Sequence, residues 1–506
     1  ASFILHETCK MSIPRNAISK TKSYCKKKRQ HKQMIRHGFS CHYNAVIIFA
    51  LVIFATGFLA NREISVVFAL VVPYYLATSS KHSKSRDFLS LCSTPLLVDS
   101  TTTENTSYHS PLSMGIDELS LILNGRGRAL AAWDCYRQGI DPCLFYSSSL
   151  LQEEGAFTAK FPKSRVNQGL GKDSLQRLKN AFPHNPQQGI IEHCVASLSH
   201  SSTSNDGTTK LLIKMAKDGL EVETVIIPWE KRKRSTLCIS SQVGCRQGCT
   251  FCATGRMGKL RSLSSDEIIV QMYYATQLCR SPNSNLFPID NVVFMGMGEP
   301  ADNVDNVVRA CRILTDRQLF QLSRSKVTIS TVAPTPKAFS DLAAAQCTLA
   351  WSVHVVHDET RQFLIPTFNP KIYTMQQMKV ELCRVLNSSH LASKRLRTIM
   401  LEVALLDGVN DAVHNAIDLA EFAQSMIDQV QGLKLVVNLI PWNDIGTGSR
   451  SYNTPNPSAV KDFQNALTER GIYTFIRTTR GDDDSAACGQ LATTRLPTAS
   501  KAKIEE

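Results

Sequence analysis

Three cysteines in one short run carry the most suggestive chemistry of this 506-residue chain. Cys245-Arg-Gln-Gly-Cys249-Thr-Phe-Cys252 sets its thiols four and three residues apart on a glycine-containing loop. Thiolates at such spacing hold iron–sulfur clusters or zinc. Both usually take four ligands, and this motif supplies three. A cluster held here therefore keeps one iron open to a small molecule. A structural zinc knuckle with Cys238 as fourth ligand is the alternative that the loop by itself leaves standing.

The loop follows an apolar stretch, Thr236-Leu237-Cys238-Ile239, and from there strand and helix patterns alternate. Strands are expected at Leu237–Ser240, Val292–Met297, Val327–Thr331, Leu349–Val353, Thr398–Val403, Leu435–Ile440 and Ile472–Ile476. Helical periodicity fills 265–279, 303–315, 336–345, 374–387, 412–428 and 457–470. Nearly continuous apolar strands joined by helices make a parallel sheet covered by helices. The expected fold is α/β, a partial (βα)6 barrel open on one side. Ligands in such folds gather at the C-terminal strand ends, where the three-cysteine loop falls.

Upstream, Leu211–Met215 and Val222–Ile227 flank the turn Lys217-Asp218-Gly219 and read as a β-hairpin within 207–230. Gly115–Gln138 reads as a helix pair bent at Gly125-Arg126-Gly127-Arg128. The segment 144–206 is weakly patterned and reads as linker. The expected division is an extension at 1–113, a helical module at 114–143, the linker, the hairpin, a core at 231–491 and a tail at 492–506.

Other residues admit both a functional and an ordinary reading. Phe294-Met-Gly-Met-Gly298-Glu299-Pro300 follows the second core strand. Its glycines permit close backbone approach, and Glu299 can accept a hydrogen bond from an ammonium; a tight turn ended by proline explains it equally well. His354, at a strand end, reads first as a core histidine. Glu223 alternates with apolar neighbours, so solvent exposure is its default. Cys488 follows Asp482–Asp484, whose charge is expected to raise its pKa and slow its attack as a nucleophile.

Several segments add to the cysteine loop: Ser240-Ser-Gln-Val-Gly-Cys245, the Gly298-Glu299 turn, Val327-Thr-Ile-Ser330-Thr331, Trp351-Ser352-Val353-His354, Asn438-Leu-Ile-Pro-Trp442-Asn443, and Arg480 through Leu491 with Cys488 inside it. Together they resemble the RlmN-like radical S-adenosylmethionine (SAM) methyltransferases, over about 207–490 and more weakly over 115–142. The resemblance implies methylation of adenine C2 in large-subunit ribosomal RNA, and also in tRNA. It implies a [4Fe–4S] cluster on Cys245, Cys249 and Cys252, with SAM on the open iron. Gly298, Glu299, Ser330, Ser352, Val353, His354 and Asn443 fall where the family contacts SAM. Cys488 falls at the methylated cysteine and Cys238 at its redox partner, which forms a transient disulfide with it. Glu223 falls at the proton acceptor. The implied route uses two SAM molecules. One methylates Cys488; the other yields a 5′-deoxyadenosyl radical that activates this methyl for addition to the base. The target adenine must be flipped out or single-stranded, and an external donor such as a flavodoxin or ferredoxin must supply electrons. The same architecture acting at adenine C8 or another base is one alternative. A non-catalytic, zinc-containing RNA-binding protein is another.

Composition bounds the rest. Sixteen cysteines at irregular spacing are too sparse for a secreted disulfide scaffold and point to a reducing compartment. The net charge of +14 suggests nucleic acid, but residues 1–62 hold 11 Lys/Arg against the single acid Glu7, which leaves only +4 for the rest. Ala45–Ala60 and Ile64–Ala77 are apolar; the first is short for a bilayer helix and Pro73 interrupts the second. The expectation for 1–113 is an organelle-targeting extension (plastid or mitochondrion), with a membrane-associated segment, a part outside the mature enzyme and a cytoplasmic location as alternatives. Met114 is a candidate start. A monomer is expected.

Overall fold

The computed structural model describes residues 110–146, 170–282, 284–388, 397–445 and 452–492. The basic run and the apolar stretches at 45–77 lie outside them. Among the described residues no helix is long and apolar enough to cross a membrane.

One sheet of ten strands organises the chain, in the order β1 (Ala196–Thr203), β2 (Thr209–Met215), β3 (Glu221–Trp229), β4 (Arg234–Cys238), β7 (Ile289–Phe294), β8 (Val327–Thr331), β9 (Thr348–Ser352), β10 (Thr398–Leu405), β11 (Lys434–Pro441) and β12 (Thr474–Ile476). The first three pairings are antiparallel and the six from β4 to β12 are parallel. A small hairpin, β5 (Gln242–Gly244) with β6 (Lys259–Ser262), stands apart and brackets the cysteine loop. The parallel strands are the apolar runs of the sequence, and β8 is buried at every position. Such strands need helices on the outside.

Local signals set those helices. Ser264 and Glu267 form a capping box at the start of the helix Ser265–Arg280, as do Thr374 and Gln377 at Met375–Asn387. Val304–Thr315, Lys337–Ala343, Val413–Gln429 and Pro457–Thr468 complete the outer layer. These are the expected βα units, within one to three residues at most ends.

Three expectations need correction. The linker 144–206 is structured from residue 170 on: a helix at Lys172–Ala181, a helical turn at Ile191–Cys194, and β1. Strand β1 is Ala-Ser-Leu-Ser-His-Ser-Ser-Thr, an edge strand largely open to solvent, so its pairing with β2 comes from backbone bonds rather than an apolar pattern. The hairpin is thus three strands. Second, the extension does not run to 113. Ser110–Ser113 is buried; Leu112 is fully covered, Ser110 bonds Asp266, and Ser113 O accepts from Arg309 at 2.6 Å. Third, the helical module is not set apart from the barrel: α1 (Ile116–Leu123) and α2 (Arg126–Tyr136) share its core. Trp133 is the joint: it is fully buried, packs edge-on against Phe320, and donates Nε1–H to Met114 O at 3.1 Å.

The barrel does not close strand to strand. After β12 the chain crosses the open side instead. Gly481 N donates to Asp206 in the β1–β2 turn at 3.3 Å, and Asn205 N donates to Asp483 at 2.9 Å. Ala492 N then reaches Glu223 Oε2 on β3 at 2.9 Å. This crossing segment carries Cys488.

Candidate active site

At the C-terminal ends of the parallel strands lies an open-sided cavity of about 970 Å³, mouth included. Cys245, Cys249 and Cys252 line it from one side and Cys488 from another. Gly298, Glu299, Ser330, Ser352, His354 and Asn443 line it as well. Val353 is buried behind the wall, where its N–H meets Glu402 O at 3.0 Å.

The cysteine loop is fastened from several directions. Gly244, at φ +74°, is the entry; a Cβ there would overlap Gly258 O, so the chain can pass only without a side chain. Arg246 pairs with Asp302, and Gln247 Nε2 donates to the same carboxylate at 2.9 Å. Thr250 N donates to Leu364 O at 3.0 Å and its hydroxyl meets Tyr452 at 2.7 Å. Trp442 Nε1–H caps Phe251 O at 3.0 Å. The short helix Ala253–Met257 then leads out, with Ala253 N donating to Gly489 O at 2.8 Å.

The three thiols line one cavity from a single loop, a donor set that fits an iron–sulfur cluster. Among the described residues no group of three or more His, Cys, Asp or Glu side chains is arranged to hold a metal ion. Burial, with Glu299 and Cys252 nearby, raises the Cys245 thiol to about 12, and burial with Cys252 and Cys245 nearby raises Cys249. As bare thiols these two stay protonated, and a bound metal group would displace those protons.

Glu299 does two things. Its carboxylate closes the turn after β7 by accepting from Ala301 N (2.9 Å), Val332 N (2.9 Å) and the Thr331 hydroxyl. It also faces the cavity, where burial holds its pKa up at about 7. Gly298 beside it, at φ +102°, packs so closely on Gln242 that a Cβ would lie 2.6 Å from that side chain. Ser330 and Ser352 face each other at 3.2 Å on neighbouring strands.

His354 is both a buried histidine and a cavity residue. Its Nδ1 accepts from Ala404 N at 3.0 Å, which leaves Nε2 as the protonated nitrogen of the neutral ring. Burial, helped by Arg361, depresses its pKa to about 3, so it is a neutral donor. It meets Phe251 edge to face at 4.7 Å.

Cys488 lies on a loop held through its backbone. Asn443 Nδ2 donates to Cys488 O at 3.0 Å, while Asn443 Oδ1 accepts from Thr479 at 2.9 Å. The sulfur itself is accessible within the cavity. Its pKa is raised, but the expected cause is wrong. Enclosure by protein leads, Arg477 opposes it, and Glu402 and Cys252 add to it. The aspartates turn elsewhere: Asp482 meets Gln490, and Asp483 meets Asn205. Cys238, on β4, is buried; desolvation and then Cys488 raise its thiol to about 12.

Glu223 also departs from expectation. It is buried, because β3 is an inner strand and the crossing segment covers its face. Its side chain shares the Val225 face of β3, and Val225 pairs with Cys238. Lys210 lies 3.8 Å from Oε1.

Sequence reasoning missed Glu402. It lines the cavity, Ser330 donates to its Oε2 at 2.9 Å, and its buried Oε1 has no partner. A charge inside Thr-Ile-Met-Leu-Glu-Val-Ala-Leu was the available signal, since an apolar strand rarely carries one without cause.

Comparisons agree with this geometry. Residues 239–419 match the radical SAM superfamily. The chain is 40% identical to the dual-specificity RNA methyltransferase RlmN of Marinobacter nauticus over 292 residues, 58% of this chain and 74% of that one. It is 40% identical to that of Halorhodospira halophila over 310 residues (60% and 79%), and 39% to that of Francisella tularensis over 327 (64% and 80%). A crystal structure of a radical SAM methyltransferase from Sphaerobacter thermophilus superposes with TM-score 0.58 at 28% identity, covering 76% of this chain and 98% of that one. With similarity at this level across most of each RlmN protein, and the cluster loop and Cys488 facing one cavity, the chain belongs to the RlmN family of radical SAM RNA methyltransferases.

Proposed function

We propose that this enzyme methylates C2 of an adenine in large-subunit ribosomal RNA, and also in tRNA, through a methyl group carried on Cys488. The observation that carries this reading is the shared cavity: Cys488 faces the same space as Cys245, Cys249 and Cys252. The dual-specificity names of its relatives support two RNA substrates.

In this reading Cys245, Cys249 and Cys252 hold a [4Fe–4S] cluster. Gly298, Glu299, Ser330, Ser352 to His354 and Asn443 hold SAM. When bound, these groups supply the methyl and the one-electron chemistry that a poorly nucleophilic aromatic carbon requires. The chain's own residues do the rest. Glu299 accepts from the ligand's ammonium. Neutral His354 offers its Nε2–H without adding charge. Asn443 fixes the backbone of Cys488, so the sulfur presents its methyl carbon from a set position. Glu223 takes the proton from C2. Cys238 attacks the Cys488 sulfur and frees the product, leaving a disulfide. Cys238 needs to lose its proton for this, and Arg477, which lowers both sulfurs, favours that. A flavodoxin or ferredoxin supplies electrons, and an organelle of bacterial type is the setting that suits the basic, acid-poor N-terminus.

The test is mass spectrometry of nucleosides from RNA incubated anaerobically with loaded enzyme, SAM and reductant. 2-Methyladenosine is expected. A methyl at C8, or none from loaded enzyme, overturns the assignment.

A further inference from the structure

Arg361 has no part in the reading above, yet it sits in an expensive place. It lies midway along the helix Asp358–Leu364 and is 1% exposed. Its Nη1 donates to Ser352 O at 3.0 Å and to Val353 O, and its Nη2 donates to Val332 O at 2.6 Å. These carbonyls end strands β8 and β9, directly under the cavity wall. The Trp351 and Phe368 rings lie 5.9 and 5.3 Å from its guanidinium carbon. Its Nε has no acceptor, and among the described residues no carboxylate forms an ion pair with it. Burying a guanidinium without a counter-ion is costly, and arginine does not escape by losing its proton.

Negative charge at the ligand loop would resolve this. Cys249 is the first of the groups that favour the Arg361 cation, ahead of Asp358 and Glu299. The backbone shows the same proximity. Leu364, one turn beyond Arg361, accepts from the N–H of Thr250, the residue after Cys249. The helix that carries the cation is thus docked on the ligand loop.

We propose that Arg361 is the resident counter-charge of the three-cysteine site. It clasps the ends of β8 and β9 and, through its charge, raises the reduction potential of the cluster bound at Cys245, Cys249 and Cys252. This rests on the cluster reading above. Three thiolates leave such a cluster net negative, and the electron taken from an external donor makes it more so. A fixed cation in a water-poor setting favours the more negative, reduced state. Arg361 is a positioning and tuning residue; it does not touch the reacting atoms.

The test compares wild type with Arg361→Lys, Arg361→Met and Arg361→Gln, each full-length and reconstituted anaerobically with iron and sulfide. The cluster is titrated with dithionite and mediator dyes, and its reduced form is followed by electron paramagnetic resonance. In the Met and Gln variants the oxidised-to-reduced ratio at the wild-type midpoint rises about tenfold, which is about 59 mV for one electron. Lysine keeps the charge but not the fork to three carbonyls, so the Lys variant stays near wild type. A wild-type midpoint in Met or Gln, or a Lys midpoint displaced as far as theirs, overturns the proposal. Should the neutral variants fail to load iron while Lys loads, the charge is needed to hold the anionic cluster, as proposed; failure of Lys as well assigns the residue to shape alone and overturns it. A wild-type protein with no reducible cluster overturns the cluster reading instead, and that is seen before any variant is compared.

Discussion

The loop from Cys245 to Cys252 is fastened through its side chains and backbone to four other parts of the barrel, whereas Cys488 is held through its backbone carbonyl. Asp302, Leu364, Tyr452 and Trp442 each hold a residue of the first. Asn443 and Ala253 hold the carbonyls of Cys488 and Gly489, and the Cys488 sulfur stays accessible. The difference suits the chemistry proposed for the two loops. Ligand sulfurs must keep fixed separations. A sulfur that receives a methyl, presents it to a base and then meets Cys238 must face three partners in turn. A backbone anchor gives it a fixed pivot and leaves its rotamer free.

The sharpest break in this comparison comes from deleting sulfurs. Cys249→Ala, or alanine at Cys245 or Cys252, should cut iron loading and SAM cleavage by more than the roughly 10–100-fold that loss of an outer-shell partner costs a metal site. Cys488→Ala should do the reverse: iron content and SAM cleavage persist while methylated RNA disappears. Iron and sulfide analysis beside nucleoside mass spectrometry separates the two. A Cys249→Ala protein with full iron content contradicts the assignment of that loop.

A smaller effect is expected at the pivot. Asn443→Ala removes two hydrogen bonds of 3.0 and 2.9 Å. At ~0.5–1.5 kcal/mol each, the stability loss is about 1–3 kcal/mol. Methylation should fall further than that loss explains, because the sulfur is no longer aimed, while iron content stays level. Equal retention of turnover and loading shows that the loop needs no such anchor.

The smallest effect concerns pH. Glu299 is held up at about 7 by burial, against an ordinary value of 4.5. Between these values the folded protein keeps a proton that the unfolded chain has released, so the stability this group contributes falls as pH rises across the window. A ligand ammonium prefers the ionised carboxylate. SAM affinity of the loaded enzyme should therefore weaken as pH drops below about 7, by up to roughly tenfold per unit. Glu299→Gln should flatten both trends. Equilibrium dialysis checks the first and thermal melts of the metal-free protein the second; a pH-independent wild-type affinity contradicts the assigned contact.

The parallel half of the sheet was legible because buried strands must be apolar throughout: Val327–Thr331 appears with its expected ends. Strand β1 was not, since an edge strand of serines offers no alternation and is held by backbone bonds with β2. The same blindness affected single residues. Glu223 alternates with apolar neighbours as an exposed residue does, and only the crossing segment, more than 260 residues later in the chain, buries it. The aspartates before Cys488 are adjacent in sequence but bond Gln490 and Asn205, while Glu402 and Arg477 come to the sulfur from separate strand ends. Arg361 shows no motif; its meaning lies in what surrounds it. The cysteine loop and the Gly298-Glu299 turn were readable because each is a run of contiguous residues.

The account rests most on the division of labour between Cys488 and Cys238, and one trapping experiment addresses it directly. Cys238→Ala protein is loaded with cluster, incubated with SAM, reductant and labelled RNA, denatured, and digested for peptide mass spectrometry. In the proposed order, Cys238 acts only after the carbon–carbon bond has formed. The variant should therefore accumulate RNA joined covalently to the peptide that contains Cys488. A folded, loaded Cys238→Ala enzyme that releases methylated RNA normally with no adduct, or an adduct mapped to any other residue, contradicts the account.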